Sequence, residues 1–224
     1  MDYFTKRKIL HLFFPNRCPI CREFIGANDL FCKDCENLFE VYDGNDGVKG
    51  SDGFTSVFYY EKNIAKAVFL MKDGVCGNAD FALGMSLAER LKKDGKTDFD
   101  TIIPVPMYRS SRRKRGYNQA ELLAVHVSRE LKVPYDFKSV RKVRRTANQK
   151  KLNRAMRRIN LKDAFAVERQ EAVKGKKILL IDDVCTTGAT LSEISLLLKR
   201  NGAESVYSAS CCKTKDPRKK VNSD

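Results

Sequence analysis

The segment Ile178-Leu179-Leu180-Ile181-Asp182-Asp183-Val184-Cys185-Thr186-Thr187-Gly188-Ala189-Thr190 has the residue types and order to hold a phosphorylated sugar. An apolar run ends in two adjacent carboxylates, and a short hydroxyl-rich loop containing Gly188 leads into a helical pattern. In open α/β sheets, ligands bind at the carboxyl ends of the strands. The free N–H groups of a helix N-terminus, with threonine hydroxyls beside them, suit a phosphate monoester. Two carboxylates next to that phosphate accept hydrogen bonds from vicinal hydroxyls, and the ligand so described is a ribose 5-phosphate. The competing explanation is a strand followed by a helix capped by Thr186 or Thr187. It accounts for one hydroxyl, but not for two carboxylates beside three threonines and a glycine.

A second constellation lies near the start: Cys18-Pro19-Ile20-Cys21 and, after ten intervening residues, Cys32-Lys33-Asp34-Cys35. Two C-x-x-C pairs place four thiolates where two tight turns close a tetrahedron around Zn²⁺, and so short a unit has too little core to fold otherwise. A redox pair needs only one C-x-x-C in a thioredoxin-like context, and two disulfides conflict with a reducing compartment. Cys18, Cys21, Cys32 and Cys35 are therefore read as ligands of a structural Zn²⁺, closed to catalysis because no coordination position is left open. Arg17, Arg22 and Lys33 are few and nearly balanced by acids, so this module alone is a poor nucleic-acid binder.

The charge is concentrated. Lys and Arg number 43 against 28 Asp and Glu, and the net charge is −2 over residues 1–106, +14 over 107–158 and +3 over 159–224. A block so basic is a surface for phosphates, the bland alternative being a solvated face. Arg109, Arg112, Arg113, Lys114 and Arg115 form its first cluster. Lys138, Arg141, Lys142, Arg144, Arg145, Lys150, Lys151, Arg154, Arg157 and Arg158 follow, interleaved with Tyr108, Tyr117, Tyr135 and Phe137. That composition suits a groove tracking a single-stranded backbone with rings for stacking. Phe137 reads as core, while Tyr108 and Tyr117 stay open between core and surface. Nucleic-acid contact is assigned to Arg109, Arg112, Arg113, Lys114, Arg144, Arg145 and Arg157.

The elements that must position these residues alternate. A short amphipathic helix precedes the cysteines, and Asp43 to Gly53 reads as a linker or long turn. Phe54 to Tyr60 is a strand, Asn63 to Lys72 and Ala79 to Lys92 are helices, and Phe99 to Val105 is a buried strand. Tyr117 to Leu131 is a helix with one apolar face, with Asn118 and Gln119 in its first turn, and Tyr135 to Val140 a strand. Residues 141–158 take no assignment. Lys177 to Ile181 is a buried strand, Ala189 to Arg200 a helix stopped by Asn201-Gly202, and Ser205 to Cys211 a strand. That βαβ unit makes the sheet mostly parallel and the fold α/β. The organisation read is a helix and zinc module over 1–42, an α/β domain over 54–212 and a charged tail over 213–224.

Several classes are excluded. With 42% hydrophobic residues the chain has material for a core and is not disordered throughout. No apolar run approaches the roughly 20 residues of a membrane span, leaving at most a weak contact with a membrane surface. Lys6-Arg7-Lys8 before Ile9 to Phe14 superficially looks like a signal peptide. That run is broken by His11 and closed by Pro15 without a small-residue cleavage site, so a cytoplasmic protein is expected. Neither a P-loop nor a G-x-G-x-x-G fingerprint occurs. His11 and His126 have no partner motif, Cys185 has no activating histidine nearby in sequence and reads as a filler, and Cys211 and Cys212 read as core.

The Asp182 to Thr190 segment closely resembles the signature of type I phosphoribosyltransferases, which bind 5-phosphoribosyl 1-pyrophosphate (PRPP) with Mg²⁺. The resemblance implies that Asp182 and Asp183 hold the ribose hydroxyls and that Thr186, Thr187, Gly188, Ala189 and Thr190 cradle the 5-phosphate. Asp182, Asp183 and Thr186 would be the catalytic set. The cysteine quartet, Ile103-Pro104-Val105-Pro106, Arg115-Gly116-Tyr117-Asn118-Gln119-Ala120, then Gln149, Leu152, Arg157, Asn160 and the Asp182 loop occur in the order typical of the ComF family. On that resemblance, covering residues 15 to about 210, the chain is identified as a member of these bacterial competence proteins, also called amidophosphoribosyltransferase-like. It implies a phosphoribosyltransferase fold with an N-terminal zinc module, and a role in handling single-stranded DNA during natural transformation, with helicase and recombination proteins as partners. It marks Val105 and Pro106 as the pyrophosphate loop and Arg115, Gly116, Asn118 and Gln119 as site residues. Enzymes that salvage 6-oxopurines often carry an acid where Thr186 stands, so a hydroxyl there weakens that substrate class. The alternative is an active transferase with an unidentified amine or nucleobase acceptor, and a scaffold without ligand is the third reading.

Overall fold

Strands buried on both faces read as unbroken apolar runs, and the run beginning at Lys177 is the centre of the observed sheet. The computed structural model describes residues 2–73, 78–146 and 161–215. Within them the chain forms α1 (Tyr3–Phe13), α2 (Lys33–Glu36), β1 (Gly53–Tyr59), α3 (Lys62–Lys72), α4 (Ala79–Lys93), β2 (Thr101–Pro104) and α5 (Arg109–Arg115). It continues with α6 (Gln119–Leu131), β3 (Val140–Lys142), β4 (Phe165–Val167), β5 (Lys177–Cys185), α7 (Ala189–Arg200) and β6 (Ser205–Lys213). Four strands make a parallel sheet in the order β1-β6-β5-β2, and β3 pairs with β4 in a separate antiparallel ribbon.

Alternation along β5 divides the core. Leu179 and Ile181 face one cluster with Leu83 and Leu87 of α4 and Leu123 and Val127 of α6. Ile178 and Leu180 face the other, with Leu191, Ile194 and Leu198 of α7 and Phe165 of β4. This three-layer arrangement is what a βαβ unit requires to bury both faces of its sheet. The helices α4 and α6 cross closely at Gly84, where a Cβ would come within 2.7 Å of the His126 Cβ.

The cysteine module has little core of its own and borrows one. Cys18, Ile20, Ile25, Phe31 and Cys35 are buried in the same cluster as Val57 and Phe58 of β1. Phe31, Phe39 and Phe58 meet edge to face, with centroids 4.7 to 6.3 Å apart. The helix α1 is capped by Asp2, which accepts from the N–H groups of Phe4 and Thr5. It docks through Arg7, whose guanidinium lies 3.5 Å from the centroid of Phe81 and bonds Asn78 and the Ala27 carbonyl. No α1 residue is fully buried, and Leu12, Phe13 and Phe14 at its outer end are largely exposed.

Five expectations need correction. The strand expected over 99–105 keeps only Thr101–Pro104, because Asp98 and Asp100 spend their carboxylates on Lys177 and the chain leaves the sheet at Val105. The strand expected over 135–140 reduces to one bridge, Tyr135 to Ile102. Asp136 accepts from the N–H groups of Lys138 and Ser139 and turns the chain there. That turn puts Phe137 on the surface, stacked on Tyr135, and not in the core. The helix expected from Tyr117 begins at Gln119, with Asn118 as its cap. Finally, β5 does not end at Ile181; pairing with β6 carries it through Asp182 and Asp183 to Cys185. The stretch 43–52 lacks regular structure, as read, but it is fastened down: the Tyr42 carbonyl accepts from Arg90, Val48 is buried, and Asp52 accepts from the Val206 N–H and pairs with Lys199.

Candidate functional site

The site forms where β2 stops and β5 does not. Ile181 is the last β5 residue bonded on the β2 side, its carbonyl accepting from the Val105 N–H at 2.8 Å, and beyond it the chain after β2 turns away. A cleft opens there, of about 620 Å³, lined by Asp182, Asp183, Thr190, Val105, Pro106, Arg115, Asn118, Gln119, Lys142 and Arg145. A contiguous pocket is lined by Thr186, Thr187, Gly188, Ala189 and Thr190. Asp182 and Asp183 line both pockets. The structure thus gathers both carboxylates, the whole loop to Thr190, and Val105, Pro106, Arg115, Asn118 and Gln119. Gly116 lies outside that lining and instead ends α5, with φ at 87°.

Each carboxylate is held by the residue after it: the Asp183 N–H donates to Asp182 Oδ1 at 2.9 Å and the Val184 N–H to Asp183 Oδ1 at 2.8 Å. Burial, then the charge of Asp183, push the pKa of Asp182 up to about 8. Asp183 is paired with Lys72 Nζ at 2.9 Å, and both side chains are largely buried. Burial alone would lower the Lys72 pKa, but the Asp183 charge and hydrogen bond raise it.

The N-cap of α7 is not a threonine. Gly188 is the N-cap of α7 at φ 73°, with no side-chain cap, so the first turn of a 12-residue helix opens toward the pocket. From below, the loop is tied by Lys213, only 8% exposed, whose Nζ donates to the Thr186 carbonyl at 2.9 Å and lies 3.9 Å from Asp46. Cys185 packs beneath as a filler, and burial pushes its thiol pKa up to about 12, so it is no nucleophile.

On the opposite wall, Asn118 is a tie between elements: its Nδ2 donates to the Val105 carbonyl at 2.9 Å and its Oδ1 accepts from the Ala120 N–H. Gln119 is 4% exposed and accepts from Arg115 at 2.9 Å, yet its Nε2 is buried with no hydrogen-bond partner. A buried donor left unmatched at a cleft wall fits an oxygen-rich ligand. Lys142 is half-buried, with its pKa lowered by burial against the pull of Asp182.

The cations assigned to nucleic acid separate. Arg145 lines the cleft, and Lys114 lines a neighbouring pocket with Lys72 and Arg115. Arg109, Arg112 and Arg113 stand on α5, which buries nothing, and Arg112 is paired with Glu121 at 2.9 Å. Arg144 donates to the Lys162 carbonyl. Arg157, like Gln149, Leu152 and Asn160, lies outside the described residues. Sequence reasoning missed Lys72, Tyr60 and Lys213; none has a motif, and only the parallel register and the packing of α3 bring them to the loop. His126 is buried and meets Asp80 at 3.2 Å, and His11 accepts from the Asn16 N–H, so neither is a site residue.

In the cysteine module all four Sγ atoms lie within 4.8 Å of one another, and those of Cys21 and Cys32 are 3.5 Å apart. A tetrahedron of Zn–S bonds has edges of about 3.8 Å, so the thiols fit the ion. Burial opposes ionisation of Cys18, but the N–H groups of Cys21, Cys32 and Ile20 outweigh it and bring its pKa down to about 7.

Residues 118–224 match the phosphoribosyl transferase domain family, and residues 9–45 the double zinc ribbon domain family. The DNA utilization protein YhgH of Escherichia coli O157:H7 is 42% identical over 115 residues, 51% of this chain and 50% of that protein. Competence protein F of Haemophilus influenzae is 45% identical over 109 residues, 48% of this chain and 47% of that one. Competence protein ComFC of Bacillus subtilis is 32% identical over 108 residues, 48% and 42% of the two chains. Over about half of its length this chain is homologous to proteins named competence protein F, competence protein ComFC and DNA utilization protein YhgH. It spans about half the length of the curated relatives it matches. Its fold is accordingly that of a phosphoribosyltransferase domain preceded by a zinc ribbon, and the four cysteines form the ribbon's structural metal centre. Among the described residues no helix is long and apolar enough to cross a membrane.

Proposed function

We propose that the chain binds PRPP at the Asp182 cleft and handles single-stranded DNA through the cations at the cleft and on α5, in the service of DNA uptake during natural transformation. The observation that carries the first part is the meeting, in one cleft, of two fixed carboxylates, a helix N-terminus without a side-chain cap and the unmatched Gln119 donor. The first turn of α7 and the hydroxyls of Thr186, Thr187 and Thr190 receive the 5-phosphate. Asp182 and Asp183 accept from the ribose hydroxyls. Gln119, Arg115, Lys142 and Arg145 face the pyrophosphate, beside the bend at Val105 and Pro106. The acidic pair already holds a lysine, so Mg²⁺ fits this site as part of the ligand, where it would neutralise the pyrophosphate oxygens.

Calorimetry of Mg-PRPP at fixed salt tests this reading. Wild type binds, and the Asp182→Asn, Asp183→Asn double variant loses at least tenfold in affinity while keeping its zinc and fold; equal binding by both retires the site. For DNA, the competence names of the relatives and the cations at Arg109, Arg113, Lys114 and Arg145 support a phosphate-tracking surface. Affinity for an oligothymidine should fall with log salt by about 0.7 per phosphate contacted, and a flat response removes DNA from the proposal.

The second reading is an active transferase. Cations facing Asp182 across one cleft suit a displacement in which the anomeric carbon gains positive character as pyrophosphate leaves, and positioning with leaving-group stabilisation would be the chain's contribution. Acceptor-dependent pyrophosphate release that Asp183→Asn abolishes favours it, with an amine or nucleobase as the acceptor class. The helicase and recombination partners belong to the same proposal.

A further inference from the structure

Two adjacent carboxylates at the mouth of a cleft would ordinarily collect a divalent cation from solution, because each is the other's worst neighbour and an ion relieves both. Here that place is taken. Lys72 Nζ sits 2.9 Å from Asp183, and its side chain is 29% exposed. The position is built from two directions. Ile64, Ala67, Val68 and Met71 bury one face of α3 in the core, which aims its last residue at the edge of β5. The Tyr117 hydroxyl donates to the Met71 carbonyl at 2.8 Å and fastens that last turn to the segment that begins α6. Lys72 also stands at the C-terminal end of α3, where the helix dipole favours a cation. It lines both pockets of the site, together with Tyr60.

We propose that Lys72 decides what the acidic pair accepts: its ammonium is a built-in cation that keeps a bare divalent ion off Asp183 and leaves the pair as an acceptor for sugar hydroxyls. The sugar half of this statement rests on the PRPP reading above; the exclusion of the ion does not. A cation on a long flexible stem suits the task. It can stay on Asp183 or lean toward an arriving anion, whereas a coordinated metal would occupy the oxygens that the hydroxyls need. Asp182 supports the same division: it leans toward its protonated form, so the pair and Lys72 together carry little net charge and have weak attraction for a free dication.

The test uses the zinc-loaded full chain and Mn²⁺ as the probe, followed by electron paramagnetic resonance. Wild type and Lys72→Arg should bind Mn²⁺ weakly and alike. Lys72→Met, which keeps most of the apolar stem and removes the charge, should bind at least tenfold more tightly, and adding Asp183→Asn should remove the gain. Zinc content and circular dichroism establish that each variant is folded. Lys72→Met binding Mn²⁺ no tighter than wild type overturns the proposal, as does an equal gain in Lys72→Arg. Mg-PRPP is titrated into the same proteins. An affinity lost at least tenfold in Lys72→Met and kept in Lys72→Arg supports the sugar half. Failure of wild type to bind Mg-PRPP, with the Mn²⁺ gain intact, ends the PRPP reading and leaves the exclusion standing.

Discussion

The cysteine centre and the Asp182 cleft are both made at loops, but they are held by opposite means. The four thiols come from residues 18 to 35, on turns whose backbone bonds are local, and the module around them shares its apolar side with β1. The cleft draws on Tyr60, Lys72, Asn118, Lys142, Asp182 and Thr214, elements scattered along the chain and brought together by sheet register. In the first the ligand atoms repel until an ion arrives, so binding and folding are one event. In the second the acceptors are pinned before any ligand comes, so binding fills a prepared shape.

The largest effect expected from that difference is on the metal. Cys35→Ser, or a strong chelator, should strip the zinc and open residues 15–40 to proteolysis, since structural zinc is worth about 10–16 kcal/mol in isolated fingers. The sheet domain should still melt cooperatively. A single melt lost in both regions at once would mean that the core shared with β1 couples them into one cooperative unit. Next, Phe58→Ala removes the ring on which Phe31 and Phe39 rest and should cost about 3–5 kcal/mol. If the module borrows its core from β1, zinc release by a competing chelator should also quicken in this variant.

Legibility in sequence follows the same divide. Cysteine ligands are local, so spacing alone assigned them, and the βαβ from Lys177 through Arg200 was plain because buried parallel strands and a one-faced helix leave distinct periods. Residue type and order alone mark Asp182 to Thr190 as a candidate, and the fold places the segment at a pocket. Lys72 is not so legible, because nothing local marks the last residue of an ordinary amphipathic helix as a partner for a carboxylate more than a hundred positions away. Phe137 is exposed against its apolar character because an Asx turn at Asp136, a side-chain effect, overrides that character. The end of β5 is hidden for a related reason: two charged residues look like a stop, yet β6 keeps pairing beside them.

A third prediction concerns pH. Asp182 has an ordinary pKa of 3.8 and a folded value of about 8. Between those values the unfolded chain is ionised and the folded one holds its proton, so stability falls as pH rises through that window and levels off above it. Asp182→Asn should flatten the decline. The decline is read from denaturant midpoints between pH 5 and 9, each unit of difference between the two values being worth about 1.4 kcal/mol. A decline unchanged in the variant would place the titration elsewhere and weaken the view that Asp182 is buried and pinned as described.

The smallest stability effect, and the sharpest on the comparison, is at Gly188. Its φ of 73° is in the left-handed region, while a Cβ there would meet Val48 Cγ2 at 3.6 Å, an ordinary contact. Space is therefore not what demands glycine; the backbone is. Gly188→Ala should cost about 1–2 kcal/mol for the left-handed conformation alone. Because Gly188 is the N-cap of α7, any relaxation of φ moves the N–H groups offered to a phosphate, so Mg-PRPP binding should suffer more than stability does. Zinc retention should not change, since no thiol depends on this loop. An Ala variant that binds Mg-PRPP as wild type does, at the expected cost in stability, would show that the loop's shape is dispensable and that the acidic pair alone selects the ligand.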